Sequence, residues 1–201
     1  MLFHYHYWTP YLEETETFYT ELGFTVHQRI GRLNGSFQSF NPPLSWNDFR
    51  ENPPLFRIIE LKKGNINVTV GYGKKPIFDH IGFIVSKEEH DLVCGKAGKL
   101  GWTVEEDERR TFISTPYGFR LELQTNKDVL GSGMEAIEEM RVSVKKEGLE
   151  QDLLYVFEKR VPVHAEVKEE TRLLQVKMNG LKSCTDPNKV LLVDSIKETV
   201  K

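Results

Sequence analysis

The chain is predicted to be an α+β protein built from a repeated β-α-β-β-β unit, and three observations lead there. Leu22-Gly23-Phe24-Thr25-Val26 recurs as Leu100-Gly101-Trp102-Thr103-Val104, and each copy follows a strand-like run bearing a histidine, His4 and then His80. The segments before and after each copy alternate between strand and helix patterns in the same order. A Gly/Ser stretch at 131–133 then closes the second copy and precedes a C-terminal third with a degraded version of that order. These boundaries give a domain over 1–128, with modules 1–75 and 76–128, and a C-terminal module over 134–201.

In the first module, Phe3 to Trp8 is an unbroken aromatic run that suits a buried strand, closed by Thr9-Pro10. Over Tyr11 to Leu22 the apolar residues Leu12, Phe18, Tyr19 and Leu22 share one side of a helix. Acidic residues crowd its early turns and Gly23 caps its end. Phe24 to Ile30 reads as a strand, and Asn34-Gly35 marks a hairpin into Ser36 to Phe40. After a polar, proline-bearing stretch from Asn41 to Pro54, the runs Leu55 to Leu61 and Ile66 to Val70 are both strands, one more than the unit needs.

The second module is more compact. Asp79 to Val85 is a strand, and Ser86 with Glu89 forms a capping box for a helix reaching Leu100. Trp102 to Glu106, Thr111 to Ser114 and Phe119 to Gln124 are strands, the last introduced by the turn Thr115-Pro116-Tyr117-Gly118. In the third, Met140 to Val144 is a strand and Leu149 to Lys159 a helix. Val163 to Lys168 and Arg172 to Met178 read as a hairpin, and Lys189 to Ile196 as a final strand. Glu139 stands where the second module has His80, so no metal is expected there.

A formal charge of -3 over 201 residues, with Lys and Arg dispersed, offers no basic stripe for nucleic acid. No apolar run approaches the ~18 residues of a membrane span, and the N-terminus shows no basic segment followed by an apolar core. A cytoplasmic protein that binds neither nucleic acid nor membrane is expected. The two cysteines, Cys94 and Cys184, lack metal or disulfide spacing and are read as free thiols, with Cys94 a packing residue of the second helix. His27, His90 and His164 have no motif around them and are read as surface residues. Glu105 to Arg110 is read as a solvated charged hairpin.

Two groups of residues, in order, resemble the vicinal oxygen chelate superfamily, which includes glyoxalase I, extradiol dioxygenases, fosfomycin-resistance enzymes and bleomycin-binding proteins. The first is His4 with Phe18-Tyr19-Thr20-Glu21-Leu22-Gly23-Phe24. The second is His80-Ile81-Gly82-Phe83 with Thr115-Pro116-Tyr117-Gly118-Phe119-Arg120-Leu121-Glu122. The resemblance covers Met1 to about Thr125. It implies paired βαβββ modules forming a half-open barrel, here with a degenerate third β-α-β module, around a divalent metal (Zn, Ni, Co, Mn or Fe). By position it implies His4, His80 and Glu122 as ligands. Glu60 becomes a fourth if Leu55 to Leu61 is the last strand of module one, the alignment we prefer. If Ile66 to Val70 is last instead, the place falls near Thr69.

Imidazole and carboxylate ligands suit such metals, and open positions would admit a small substrate through two adjacent oxygens. The favoured expectation is a lyase or isomerase of glyoxalase type, in which the metal stabilises an enediolate while Glu60 or Glu122 moves the proton. A metal-free ligand-binding protein is the first alternative and an Fe(II) extradiol-type dioxygenase the second. Against the latter, Ile66 to Asp79 lacks the family's acid-base histidine, and Phe112 stands near the place of its tyrosine. His6 shares a strand face with His4 and is assigned to the pocket with Trp8 and Arg120; it also stands where fosfomycin-resistance enzymes carry threonine. Arg57 and Arg120 precede the two glutamates and pair with them, with a substrate acid or at the surface. A lone third module leaves an edge and an apolar face to cover, hence an expected homodimer.

Overall fold

A computed structural model describes residues 1–195. The first two modules merge into one mixed sheet that does not close into a barrel. Its strands are β1 (Leu2–Thr9), β2 (Thr25–Leu33), β3 (Ser36–Ser39), β4 (Leu55–Lys63), β5 (Ile66–Tyr72), β6 (Ile77–Ile84), β7 (Thr103–Glu106), β8 (Thr111–Ser114) and β9 (Arg120–Gln124). They lie in the order β3-β2-β4-β5-β1-β6-β9-β8-β7, so the repeats meet where β1 pairs antiparallel with β6. Helices α1 (Leu12–Glu21) and α2 (Lys87–Lys99) connect the first two strands of each repeat.

Local chemistry sets these elements as expected. Asn34 and Gly35 both take positive φ, 50° and 85°, the backbone that a two-residue hairpin turn needs between β2 and β3. Ser86 accepts from the Glu89 N–H and Glu89 returns a bond to the Ser86 N–H, which starts α2.

The surplus strand is β3, exposed along its length, rather than Ile66 to Val70. β5, buried from Ile66 to Gly71, takes the inner place parallel to β1, as β9 does beside β6. β4 carries exposed positions and sits one strand further out, between β2 and β5. Burial on both faces is what a central strand demands, and only β5 meets it. The preferred alignment, with Leu55 to Leu61 as the last strand, is therefore corrected.

The C-terminal third forms its own sheet from β10 (Ile137–Val144), β11 (Val163–Val167), β12 (Arg172–Met178), β13 (Cys184–Thr185) and β14 (Leu191–Asp194), with α3 (Leu149–Phe157) after β10. Its order is β11-β10-β12-β14-β13. The expected hairpin of 163–168 with 172–178 is not formed, because β11 and β12 flank β10 on opposite sides. β10 carries Met140, Val142 and Val144 with no exposure and so occupies an inner position. The connecting residues cross its end, where the Lys168 N–H donates to the Val144 carbonyl at 2.9 Å. Ile196, placed in the final strand by sequence, lies outside the described residues.

This sheet and the helices pack on one face of the large sheet. The Tyr7 hydroxyl donates to the Leu173 carbonyl at 3.3 Å, the Tyr19 hydroxyl to Asp186 at 3.1 Å, and the Phe83 and Phe157 rings are 4.8 Å apart. The apolar face of the third module is thus covered within one chain. This removes the uncovered face from the reasoning for a homodimer, while β11 and β13 still stand at the edges of the sheet.

Glu16 and Arg29 tie α1 to β2 through two buried bonds of 2.7 and 2.6 Å, and Arg29 also donates to the carbonyls of Phe40 and Leu44. Removing one partner leaves a buried charge alone. Glu16→Ala should lower stability by about 3–5 kcal/mol, read from urea denaturation; a loss under about 1 kcal/mol would show that the pair is not holding this side of the fold.

Candidate metal centre

Alternation along β1 turns His4, His6 and Trp8 to the face of the large sheet opposite the helices, and Tyr5 and Tyr7 into the core. Antiparallel pairing sets His6 across from His80, and parallel pairing sets Gly82 beside Glu122. A glycine at 82 is required there, because a Cβ would stand 2.7 Å from that of His4. These residues floor a cavity of about 710 Å³, within the range of small-molecule sites.

At the floor, His4 Nε2 is 3.0 Å from His80 Nε2, and Glu122 Oε2 is 3.0 Å from His80 Nε2 and 3.7 Å from His4 Nε2. Ligands about 2.1 Å from a common ion and at right angles are about 3.0 Å apart, so the spacing fits one ion. The far side of each ring is held. His4 Nδ1 donates to the Asn67 carbonyl and side-chain oxygen, both at 3.1 Å, and His80 Nδ1 donates to Asp79 Oδ2 at 2.6 Å. Both Nε2 atoms therefore present lone pairs to the same point, and Glu122 Oε2 is buried there with no hydrogen bond. This concentration of electron pairs is what a cation satisfies. Among the described residues these three form the one group with metal-ligand spacing.

Protonation suits the same role. Burial pushes the His4 ring down to about 4, which leaves it neutral at neutral pH. Burial works to raise the Glu122 carboxyl, but the contacts with His80 and with the side-chain amide of Gln124 outweigh it and hold it ionised. Asp79 is treated likewise, with His80 and Arg120 overcoming burial.

Of the other residues singled out in the sequence, Glu60 lines the cavity but takes no part in the triad. It accepts from the Asn67 amide at 2.5 Å and lies 3.4 Å from Lys62. Thr69 occupies the register place corresponding to Glu122, two residues beyond the partner of His4, and bonds His6 Nδ1 at 2.6 Å. His6 stacks on His80 at 5.0 Å with rings nearly parallel, and its Nε2 is buried without a partner. Trp8 donates to Asp79 at 3.1 Å, and Arg120 contacts Asp79 and lies 4.2 Å over the Phe112 ring.

Asn67 and Asp79 were missed by sequence reasoning, although Asp79 directly precedes a candidate ligand. The tip of the charged hairpin, residues 107–110, borders the cavity rather than bulk solvent alone. His90 is buried, not at the surface, and bonds Thr111 at 2.8 Å. It lies one turn before Cys94, 3.7 Å from its sulfur, so a histidine is in register after all. Burial nevertheless pushes that thiol up to about 11, which keeps it from acting as a nucleophile.

The sequence matches no protein-family model and no curated protein. The fold matches solved structures. An extradiol ring-cleaving dioxygenase from Brevibacterium fuscum superposes with a TM-score of 0.62 at 11% identity, covering 95% of this chain and 70% of that one. The chain has the vicinal oxygen chelate fold. The 2,3-dioxygenase LapB of a Pseudomonas species matches with a TM-score of 0.61 at 13% identity, over 90% of this chain and 75% of the other. A trihydroxybiphenyl dioxygenase of Sphingomonas wittichii gives 0.57 at 10%, over 89% and 72%. Such identities carry the vicinal oxygen chelate architecture and leave the chemistry to the site. Among the described residues no helix is long and apolar enough to cross a membrane.

Asp79 fixes the tautomer of His80, so Asp79→Asn should weaken metal binding about 10- to 100-fold, measured by competition with a chelating dye. Unchanged affinity would show that His80 does not depend on this contact.

Proposed function

We propose that this chain is a metal-dependent enzyme that binds a small molecule through two adjacent oxygens at His4, His80 and Glu122, and that it carries out ring cleavage of the extradiol type. The observation that carries this reading is a ligand set of two imidazoles and one carboxylate, joined by no further His, Cys, Asp or Glu among the described residues, which suits Fe(II) and would leave positions open to substrate. A divalent ion held there would supply Lewis acidity, and Fe(II) would add the reactivity toward oxygen. The chain supplies the rest. Asn67 and Asp79 keep both imidazoles turned inward, the unpartnered Nε2 of His6 hydrogen-bonds a substrate oxygen, and the aromatic walls Trp8 and Phe112 exclude water from a flat ring.

The glyoxalase-type isomerisation favoured by sequence asks for a second carboxylate beside the metal, and Glu60 is engaged by Asn67 and Lys62 instead. An oxygen electrode separates the two. Fe(II)-loaded protein should consume oxygen with catechol or a carboxylated catechol, and His80→Ala should consume none. No oxygen uptake, together with Zn- or Ni-dependent isomerisation of the methylglyoxal–glutathione adduct, would establish the glyoxalase reaction in its place.

A further inference from the structure

The charges around the cavity are mostly spent within the protein. Arg120 is held by Asp79, Lys62 lies beside Glu60, and Arg110 faces Glu122 at 3.9 Å. Arg57 and Arg109 differ: among the described residues neither guanidinium has a hydrogen bond or ion pair, and that of Arg57 rests 4.4 Å over the Trp8 ring. A guanidinium resting over an indole keeps N–H donors available for another partner.

That platform is built into the sheet. Gly71 pairs with Trp8 in register, and a Cβ there would collide with the indole and stand 2.5 Å from the Arg57 carbonyl. One at Gly73 would stand 2.8 Å from the Trp8 Cβ. Two glycines thus leave space for the ring. Trp8 is held from below by Asp79, the residue that also orients His80, and its ring meets His6 at 4.6 Å. Arg57 therefore stands over the wall of the cavity, two ring contacts from a proposed metal ligand.

We propose that the substrate carries a carboxylate besides its two chelating oxygens, and that Arg57, laid on Trp8, binds it. This substrate class rests on the reading of the triad as a metal centre. The guanidinium offers paired donors that match the two oxygens of a carboxylate, and a neutral ring would leave those donors to water.

Calorimetric titration of the anaerobic Fe(II)-loaded protein with protocatechuate and with catechol tests it. Protocatechuate should bind at least about tenfold more tightly, and Arg57→Met should bring the ratio close to one. Equal affinities in the unaltered protein, or a preference that survives in Arg57→Met, would overturn the proposal. Should neither catechol bind, the metal reading fails, and the metal-free protein decides the arginine by itself. Benzoate binding that exceeds benzamide binding and is lost in Arg57→Met would sustain the carboxylate site; no difference would reject it.

Discussion

Pairing of β1 with β6 is the contact that the site cannot do without. Each strand opens one repeat, each carries one imidazole of the triad, and only their antiparallel register sets His6 across from His80 with His4 one pleat away. Side chains alternate with period two along a strand, so a slip of one residue in either would turn an imidazole into the core and bring Tyr5 or Ile81 to the cavity floor. Tyr5 is bonded to Tyr19 at 2.7 Å and Ile81 is wholly buried, which makes the slipped register costly on the packed face as well. The hydrophobic core on one side of the sheet thereby sets the ligand geometry on the other.

The floor of the cavity would be costly to leave empty. Three electron-pair donors crowd one point, His6 adds an unpartnered nitrogen, and water has little access to any of them. Buried polar atoms without partners cost on the order of 1–3 kcal/mol each, so an arrangement that concentrates them makes sense when something binds there. Support from the next ring of residues is consistent with that. Asn67, Asp79, Thr69 and Gln124 each hold a triad member or His6 in place.

Much of this could be read from the sequence because the signals were local. The repeat, the capping box at Ser86, the Asn34-Gly35 turn and the strand positions of His4, His80 and Glu122 depend on neighbours along the chain. The assignments that had to be changed were nonlocal. β4 and β5 are both apolar runs, and which one lies against β1 is decided by burial on two faces, a property of the assembled sheet. The third module kept the order of elements but not their pairing, because β10 took an inner place between β11 and β12. His90 was misjudged for want of one comparison: with Val93 and Ala97 it falls on the buried side of α2 at helical spacing.

The account stands on an ion at the triad, and metal content of protein purified without an affinity tag tests it most directly. Plasma mass spectrometry should find about one equivalent per chain, lost in both His80→Ala and Glu122→Ala and kept in Glu60→Gln. No metal after reconstitution with Zn, Mn, Ni, Co and Fe(II), in protein that remains folded, would contradict it and leave a metal-free ligand-binding protein of the same fold.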